Sequence, residues 1–143
     1  ASWSGVRAVI AAASRSGVLA DAVAGTPGVG TVVQARPQRM GARKLWIAFA
    51  VVTAGRVLVD DGARRALLDR PVSLLPAGVT GVEGTFAVDQ AVEIAGPDGT
   101  TFAKGLARIA AADLASVAGR RTADLPEGLP AVAVHRDDLV IVP

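Results

Sequence analysis

The sequence predicts a mostly β fold with α: a small mixed β-barrel preceded by an α/β strand-helix-strand unit. Residues 1–35 set two short apolar runs around one segment of helical period, the texture of α/β architecture. From Lys44 onward about five extended runs are separated by Gly or Pro. The 143 residues are 51% hydrophobic but only 3% aromatic, so the core has to be built from Ala, Val and Leu in thin layers.

Val6 to Ala12 is an apolar run that opens after Gly5 and closes at Ser14. It suits a strand buried on both faces, as in a parallel sheet flanked by helices. Ser14 or Ser16 can cap the next helix, where Val18, Leu19, Ala22 and Val23 share one face and Gly25 supplies a left-handed stop. Residues 28–35 read as a second strand. Such a unit cannot bury both faces alone, so it is expected to be the tail of a larger domain whose other strands precede Ala1. An opening Ala rather than Met agrees with a processed end or a piece of something longer.

The longest apolar run, Leu45 to Ala54, is broken by Gly55 and Arg56, far short of the ~20 residues of a membrane span. Arg43 and Lys44 before it mimic the charged start of a secretory signal, but the run sits inside the chain without a cleavage site. It reads as a buried strand. Val57 to Val59 leads into Asp60, Asp61 and Gly62, after which Ala63, Ala66 and Leu67 fall at helical spacing until Pro71. Asp61 is the expected N-cap, and both acids suit the positive end of the helix dipole. That explains the adjacent carboxylates without invoking metal or acid/base work.

Leu75-Pro76-Ala77-Gly78 matches a type I turn. Phe86, Val88, Val92 and Ile94 alternate with Ala87, Asp89, Ala91 and Glu93, the pattern of a half-buried strand marred by Gln90. Gly96-Pro97-Asp98-Gly99 makes a hairpin loop, and Phe102 to Ile109 returns as the partner strand. Asp113 is expected to cap a short helix that Gly119 ends. Ala131–Val134 and Leu139–Val142 flank His135-Arg136-Asp137-Asp138 and add a closing strand. Antiparallel strands with two short helices in about 100 residues point to a closed or nearly closed barrel.

Charge is split along the chain. Residues 1–59 carry seven basic side chains and one acid (Asp21), a net +6; residues 60–143 carry eight against twelve, a net −4. Arg36, Arg39, Arg43 and Lys44 crowd a stretch that also holds Pro37 and Gly41, as expected of an exposed connector. Counterion release could bring nucleic acid to it, but Arg residues without interleaved aromatics fit a solvated linker as well.

Zero Cys excludes thiol catalysis, thiolate zinc sites and disulfides, and a single His nearly excludes His-based triads and metal clusters. Gly25, Gly28 and Gly30 follow a helix and precede a strand, the wrong order for phosphate binding at a helix N-terminus, so they read as a connecting turn. His135 with Asp137 could form an oriented general base, but no nucleophile is tied to it; Ser73 and Ser116 cannot be placed from sequence, and a structural histidine is favoured. Lys104 and Arg108, with Arg64 and Arg65, could make a basic face, and most such arrays are simply solvated.

Several motifs together carry a resemblance. Val59-Asp60-Asp61-Gly62-Ala63, Ser73-Leu74-Leu75-Pro76-Ala77-Gly78-Val79, Gly84-Thr85-Phe86 and Lys104-Gly105-Leu106 are similar to the PUA domain that follows the catalytic domain of bacterial glutamate 5-kinases. The closing Ala133-Val134-His135-Arg136-Asp137-Asp138-Leu139-Val140 resembles the C-terminal signature of that family and is the most specific piece. Gly17-Val18-Leu19 with Gly30-Thr31-Val32-Val33 resembles the last helix and strand of the amino-acid-kinase domain, and Lys44-Leu45-Trp46-Ile47 the lead-in to the PUA module. Two departures stand out: Asp89 and Gln90 replace a usual Gly and acid, so the turn there is expected to differ, and Ser16 replaces a common proline.

The resemblance implies three parts: a C-terminal tail of an amino-acid-kinase domain (residues 1–35), a basic linker (36–44) and a PUA domain (45–143). For the parent enzyme it implies ATP- and Mg2+-dependent phosphorylation of the L-glutamate side-chain carboxylate, the first step of proline biosynthesis, in the cytoplasm. The PUA domain would be an accessory or regulatory module. The family's nucleotide and glutamate sites lie before the point matched by Ala1, so no catalytic, cofactor or metal residue carries over, and residues 1–143 are expected to be inactive alone. Implied partners are the upstream kinase domain and further copies in a homo-oligomer, with no membrane. The alternative is an RNA-binding PUA module using Arg64, Arg65 and Arg70, weakened by the net acidity from residue 60 and by Phe86 and Phe102 being expected in the core.

Overall fold

The structure is a computed structural model that describes residues 2–36 and 40–142. Pro37 and Arg39 of the expected connector lie outside the described residues. The chain divides into two compact units, residues 1–45 and 46–143.

The first unit holds β1 (Ala8–Ile10), α1 (Val18–Ala24) and β2 (Thr31–Val33). The order of strand, helix and strand follows the sequence reading, but the expected parallel pairing does not: β1 and β2 pair antiparallel, Ala8 opposite Val33 and Ile10 opposite Thr31. Nor is β1 buried on both faces, since Ile10 is exposed and Ala8 and Val9 are only half-buried. A parallel crossover needs its helix laid back on the sheet, whereas α1 buries no residue. Neither Ser14 nor Ser16 caps α1; its N-cap is Gly17, without a side-chain hydrogen bond. Gly25 ends the helix in the left-handed region (φ 76°), its N–H donating to the Ala22 carbonyl.

Helix α2 (Ala42–Phe49) replaces the strand expected over Leu45–Ala54. A continuous apolar run does not distinguish the two. Here Ile47 and Ala48 are buried while Trp46 and Phe49 are exposed, a helical rather than an alternating division. Arg43 and Lys44, expected in a connector, lie within this helix.

The second unit is a five-stranded mixed sheet in the order β4-β3-β5-β6-β7. Strand β3 (Gly55–Val59) pairs antiparallel with β4 (Val79–Gly84) and parallel with β5 (Ala91–Ala95). Strand β5 pairs antiparallel with β6 (Thr101–Ala107), and β6 with β7 (Val134–Ile141). A further bridge joins Leu74, shortly before β4, to Val134 at the start of β7. The two edges of the sheet are thereby brought toward each other in the nearly closed barrel that the sequence predicts.

Strand β4 was not foreseen as a separate strand because Gly81 and Gly84 dilute its pattern. The half-buried strand expected from Phe86 is shorter and more buried than its alternation suggests. Residues 87–90 form a turn, with Asp89 at φ 66° and the Ala87 N–H donating to Gln90 Oε1 at 2.8 Å. The Asp89 backbone adopts the left-handed conformation that glycine takes without strain. Strand β5 then starts at Ala91 and, as the central strand, buries four of its five residues. The hairpin loop 96–99 closes as expected, the Gly99 N–H donating to Gly96 O at 2.9 Å.

The core cluster brings together Val57, Val59, Leu67, Leu74, Val92, Ile94, Leu114 and Val134 with Phe86 and Phe102, both buried as expected. Helix α3 (Asp61–Asp69) is capped by Asp60, not Asp61: the Asp60 carboxylate accepts from Ala63 N–H at 2.7 Å, while Asp61 sits in the first turn. Helix α4 (Ala111–Val117) starts from Ala110, so Asp113 lies in its first turn and is not the cap. The two C-terminal runs form one strand, β7, in which residues 135–138 bulge opposite a single residue of β6.

Candidate functional site

A concavity with a formed wall lies between α3 and the chain that returns from it. Ala63, Ala66 and Leu67 line one side, Val72 to Leu75 the other, and Ala77 and Gly78 the floor of a groove of about 440 Å3. Local sequence dictates this shape. Pro71 stops the helix, residues 72–75 run extended beside β7 through the Leu74–Val134 bridge, and Pro76–Gly78 turns the chain into β4 with Gly78 N–H donating to Leu75 O at 3.1 Å. A Cβ on Gly78 would meet Ala63 Cβ at 2.5 Å, so glycine is what lets the turn approach the helix. Asp60 and Ser73 are the polar side chains on the wall.

Of the residues singled out as a possible RNA face, one is ion-paired and two are exposed. Arg64 pairs with Asp98 at 3.3 Å and lies 5.8 Å from the centroid of the Phe102 ring. The Arg65 guanidinium donates to the Asp61 carbonyl of its own helix at 3.3 Å. Arg70 is exposed at the C-terminus of α3. Asp98 titrates below the ordinary carboxylate range, chiefly because the Thr100 backbone N–H donates to it, with Arg64 adding charge stabilisation.

The His135 region has the residue types of a triad without its geometry. Asp137 approaches His135 Nδ1 at 3.5 Å, but Nδ1 already accepts the Asp137 backbone N–H at 3.3 Å. Ser73, unplaceable from sequence, does lie beside this bulge, yet its Oγ accepts the Arg136 backbone N–H at 3.0 Å. No hydrogen bond links Ser73 to the imidazole among the described residues, so the relay that activates a serine is missing. Ser116 Oγ donates to Asp113 O within α4.

Sequence reasoning missed the buried acid of the closing motif. Asp138 is 3% exposed and accepts from Arg108 at 2.6 Å, and Arg108 also reaches Asp89 at 3.6 Å. The triad of charges ties β7 to the end of β6 and to the Asp89 turn. No spacing signals it, because its members come from three separate segments. Arg56 is likewise placed by register: it lies opposite Glu83 on β4 and Glu93 on β5, with ion-pair distances of 3.8 and 3.2 Å. Glu93 also accepts from Thr101 Oγ1 at 3.1 Å, and Lys104 faces Glu93 from β6.

Among the described residues no group of three or more His, Asp or Glu could hold a metal. Gly25 and Gly28 have left-handed backbones at and after the C-terminus of α1, where carbonyls rather than amides are left over. No helix among the described residues is long and apolar enough to cross a membrane.

Comparison with known proteins extends these findings. The PUA domain family model matches residues 55–129. Glutamate 5-kinase of Mycobacterium avium (strain 104) is 46% identical over 132 residues, 92% of this chain and 35% of that protein. Glutamate 5-kinase of Trichlorobacter lovleyi is 40% identical over 142 residues, 96% of this chain and 38% of that protein. The chain thus spans about a third of the length of these curated relatives. Among solved structures, a PUA domain from Aeropyrum pernix K1, crystallised as a tartrate complex, shares 31% identity at a TM-score of 0.46, covering 58% of this chain and 43% of that one. The likeness to glutamate 5-kinases expected from the sequence motifs is therefore found, over nearly the whole chain.

Proposed function

We propose that this chain, which belongs to the PUA domain family, is the C-terminal part of a glutamate 5-kinase, its PUA module serving the enzyme as an accessory or regulatory domain. One observation carries the reading: likeness to glutamate 5-kinases covers 92% of the chain, well beyond the residues matched by the PUA family alone. A free-standing PUA module would have no reason to share the residues before it with these enzymes. On this reading the whole protein transfers the ATP γ-phosphoryl group to the glutamate side-chain carboxylate in the cytoplasm, with Mg2+ gathering charge on the nucleotide. On this reading the groups for that chemistry lie in the part of the relatives outside this chain.

The test is trapping of the acyl phosphate by hydroxylamine. The full-length coding sequence containing this chain should give ATP-dependent hydroxamate from glutamate, and residues 1–143 alone should give none. A full-length protein without product sinks the kinase reading, and product from the 143 residues alone sinks the claim that they are inactive. The RNA-binding alternative is weakened at Arg64, whose charge is paired with Asp98. Tight RNA binding with a steep salt slope would nevertheless restore it.

A further inference from the structure

The backbone of the groove wall is only half satisfied. Leu74 directs its N–H to Val134 O at 2.9 Å, and its carbonyl accepts from the N–H groups of Ala133 and Val134 at 2.8 and 3.2 Å. Successive residues of an extended chain point their N–H and C=O groups to opposite sides. Ser73 and Leu75 therefore aim theirs away from β7. Leu75 is fully extended (φ −98°, ψ 153°). Its carbonyl is taken by Gly78 N–H, but the Leu75 N–H and both backbone groups of Ser73 have no protein partner among the described residues. This short edge lines the same groove as Ala63, Ala66 and Leu67 of α3, whose side chains are small or apolar.

An unpaired strand edge beside an apolar helical wall is the arrangement that accepts an added strand: main-chain hydrogen bonds supply affinity and the wall selects a side chain. The charge of the groove selects further. Asp60 is its one charged lining residue, and the Ala63 N–H occupies only one of its oxygens, Oδ1. A nucleic-acid phosphate would meet a carboxylate there, whereas Lys or Arg would be paired.

We propose that this groove docks an extended peptide segment of a partner protein. The segment adds as a strand to Ser73–Leu75, seats an apolar side chain against Ala66 and Leu67, and presents a basic side chain to Asp60. The Arg136 N–H bond to Ser73 Oγ and the Leu74–Val134 bridge hold the receiving edge in place before the peptide arrives. The inference rests on the groove alone and stands or falls independently of the kinase reading.

The test is a titration of the isotopically labelled 143-residue chain with a capped peptide of alternating Val and Lys. The same peptide N-methylated on its bonding edge and a short oligouridylate are run in parallel. The amide signals of Ser73 and Leu75 and the methyl signals of Ala66 and Leu67 should shift with the plain peptide, and those two amides should exchange about tenfold more slowly. N-methylation, or filling the groove by Ala66→Phe, should weaken binding by about tenfold or more. Asp60→Asn, which keeps a capping side chain, should weaken it less and flatten its salt dependence. Equal affinity for the N-methylated peptide, shifts confined to other residues, or no shift at about 1 mM peptide would overturn the proposal. So would oligouridylate shifting these signals where the peptide does not.

Discussion

In residues 1–45, Val29 alone among the described apolar side chains is buried, whereas every other buried apolar residue among the described residues lies in 46–143. The two units draw on the same vocabulary of Ala, Val, Leu and Ile. In the first, Val6, Ile10, Leu19, Val23 and Val32 face outward; in the second, a five-stranded sheet and its helices enclose Val57, Val59, Ile94 and Leu114 completely. Apolar composition is therefore not a core. Two three-residue strands and a seven-residue helix offer too little facing surface to remove side chains from water on both sides.

That contrast is sharpened most by truncating one aliphatic residue in each unit. Ile94→Ala empties a fully enclosed site and should cost about 3–4 kcal/mol in urea unfolding of the 143-residue chain, while Leu19→Ala, 80% exposed, should change stability by less than about 0.5 kcal/mol. Comparable losses at the two positions would mean that the first unit has a core after all.

Next in size is the charge pair of the closing motif. Arg108→Ala strands the buried Asp138 carboxylate and should cost about 3 kcal/mol, measured by the same unfolding curves. Asp138→Asn should cost less, because it removes the buried charge and leaves Arg108, 41% exposed, within reach of water. If the order is reversed, desolvation of Asp138 is not what makes the pair matter.

Helix starts provide a smaller contrast. Helix α3 has a side-chain cap and α1 has none, so Asp60→Ala should destabilise by about 1 kcal/mol, whereas Gly17→Ala should act through its left-handed backbone (φ 73°) rather than through a lost bond. Introducing a side-chain cap at the start of α1 should leave the second unit's unfolding midpoint unchanged.

The smallest effect belongs to Asp98. Its folded-state pKa is depressed below 3.8 by the Thr100 N–H and by Arg64, so its contribution is complete above that value and is lost as pH falls through the folded-state value. Asp98→Asn should therefore narrow the stability difference between neutral and strongly acidic solution, read from thermal melts at each pH. A variant whose acid sensitivity equals that of the parent would remove Asp98 from the account.

Much of the second unit was legible because its signals are local. Pro71 ending α3, the Pro76 turn, the 96–99 hairpin and the Gly119 stop each depend on what a few adjacent residues allow the backbone to do, and each stands where the sequence places it. The mistaken readings share another cause. Leu45–Ala54 is apolar throughout, and period cannot separate helix from strand when every position is apolar. The alternation from Phe86 was carried across a turn because Asp89 does not announce a left-handed backbone as glycine does. For the candidate groove, the sequence indicated the helix start and the turn; it did not indicate that the Ser73 backbone groups and the Leu75 N–H would lack a partner among the described residues.

By itself the sequence determined the composition of the core, the punctuation of the strands, the charge division between the halves and the motifs shared with glutamate 5-kinases. Only the tertiary structure decided that β1 and β2 run antiparallel, that Asp138 is buried against Arg108, that Glu93 faces Arg56, and that Leu74 bridges to Val134. The division follows from range. Turns, caps and stops are fixed by dihedral preferences within a few residues, whereas pairing partners dozens of residues apart are chosen by which register buries the most apolar surface while satisfying the backbone.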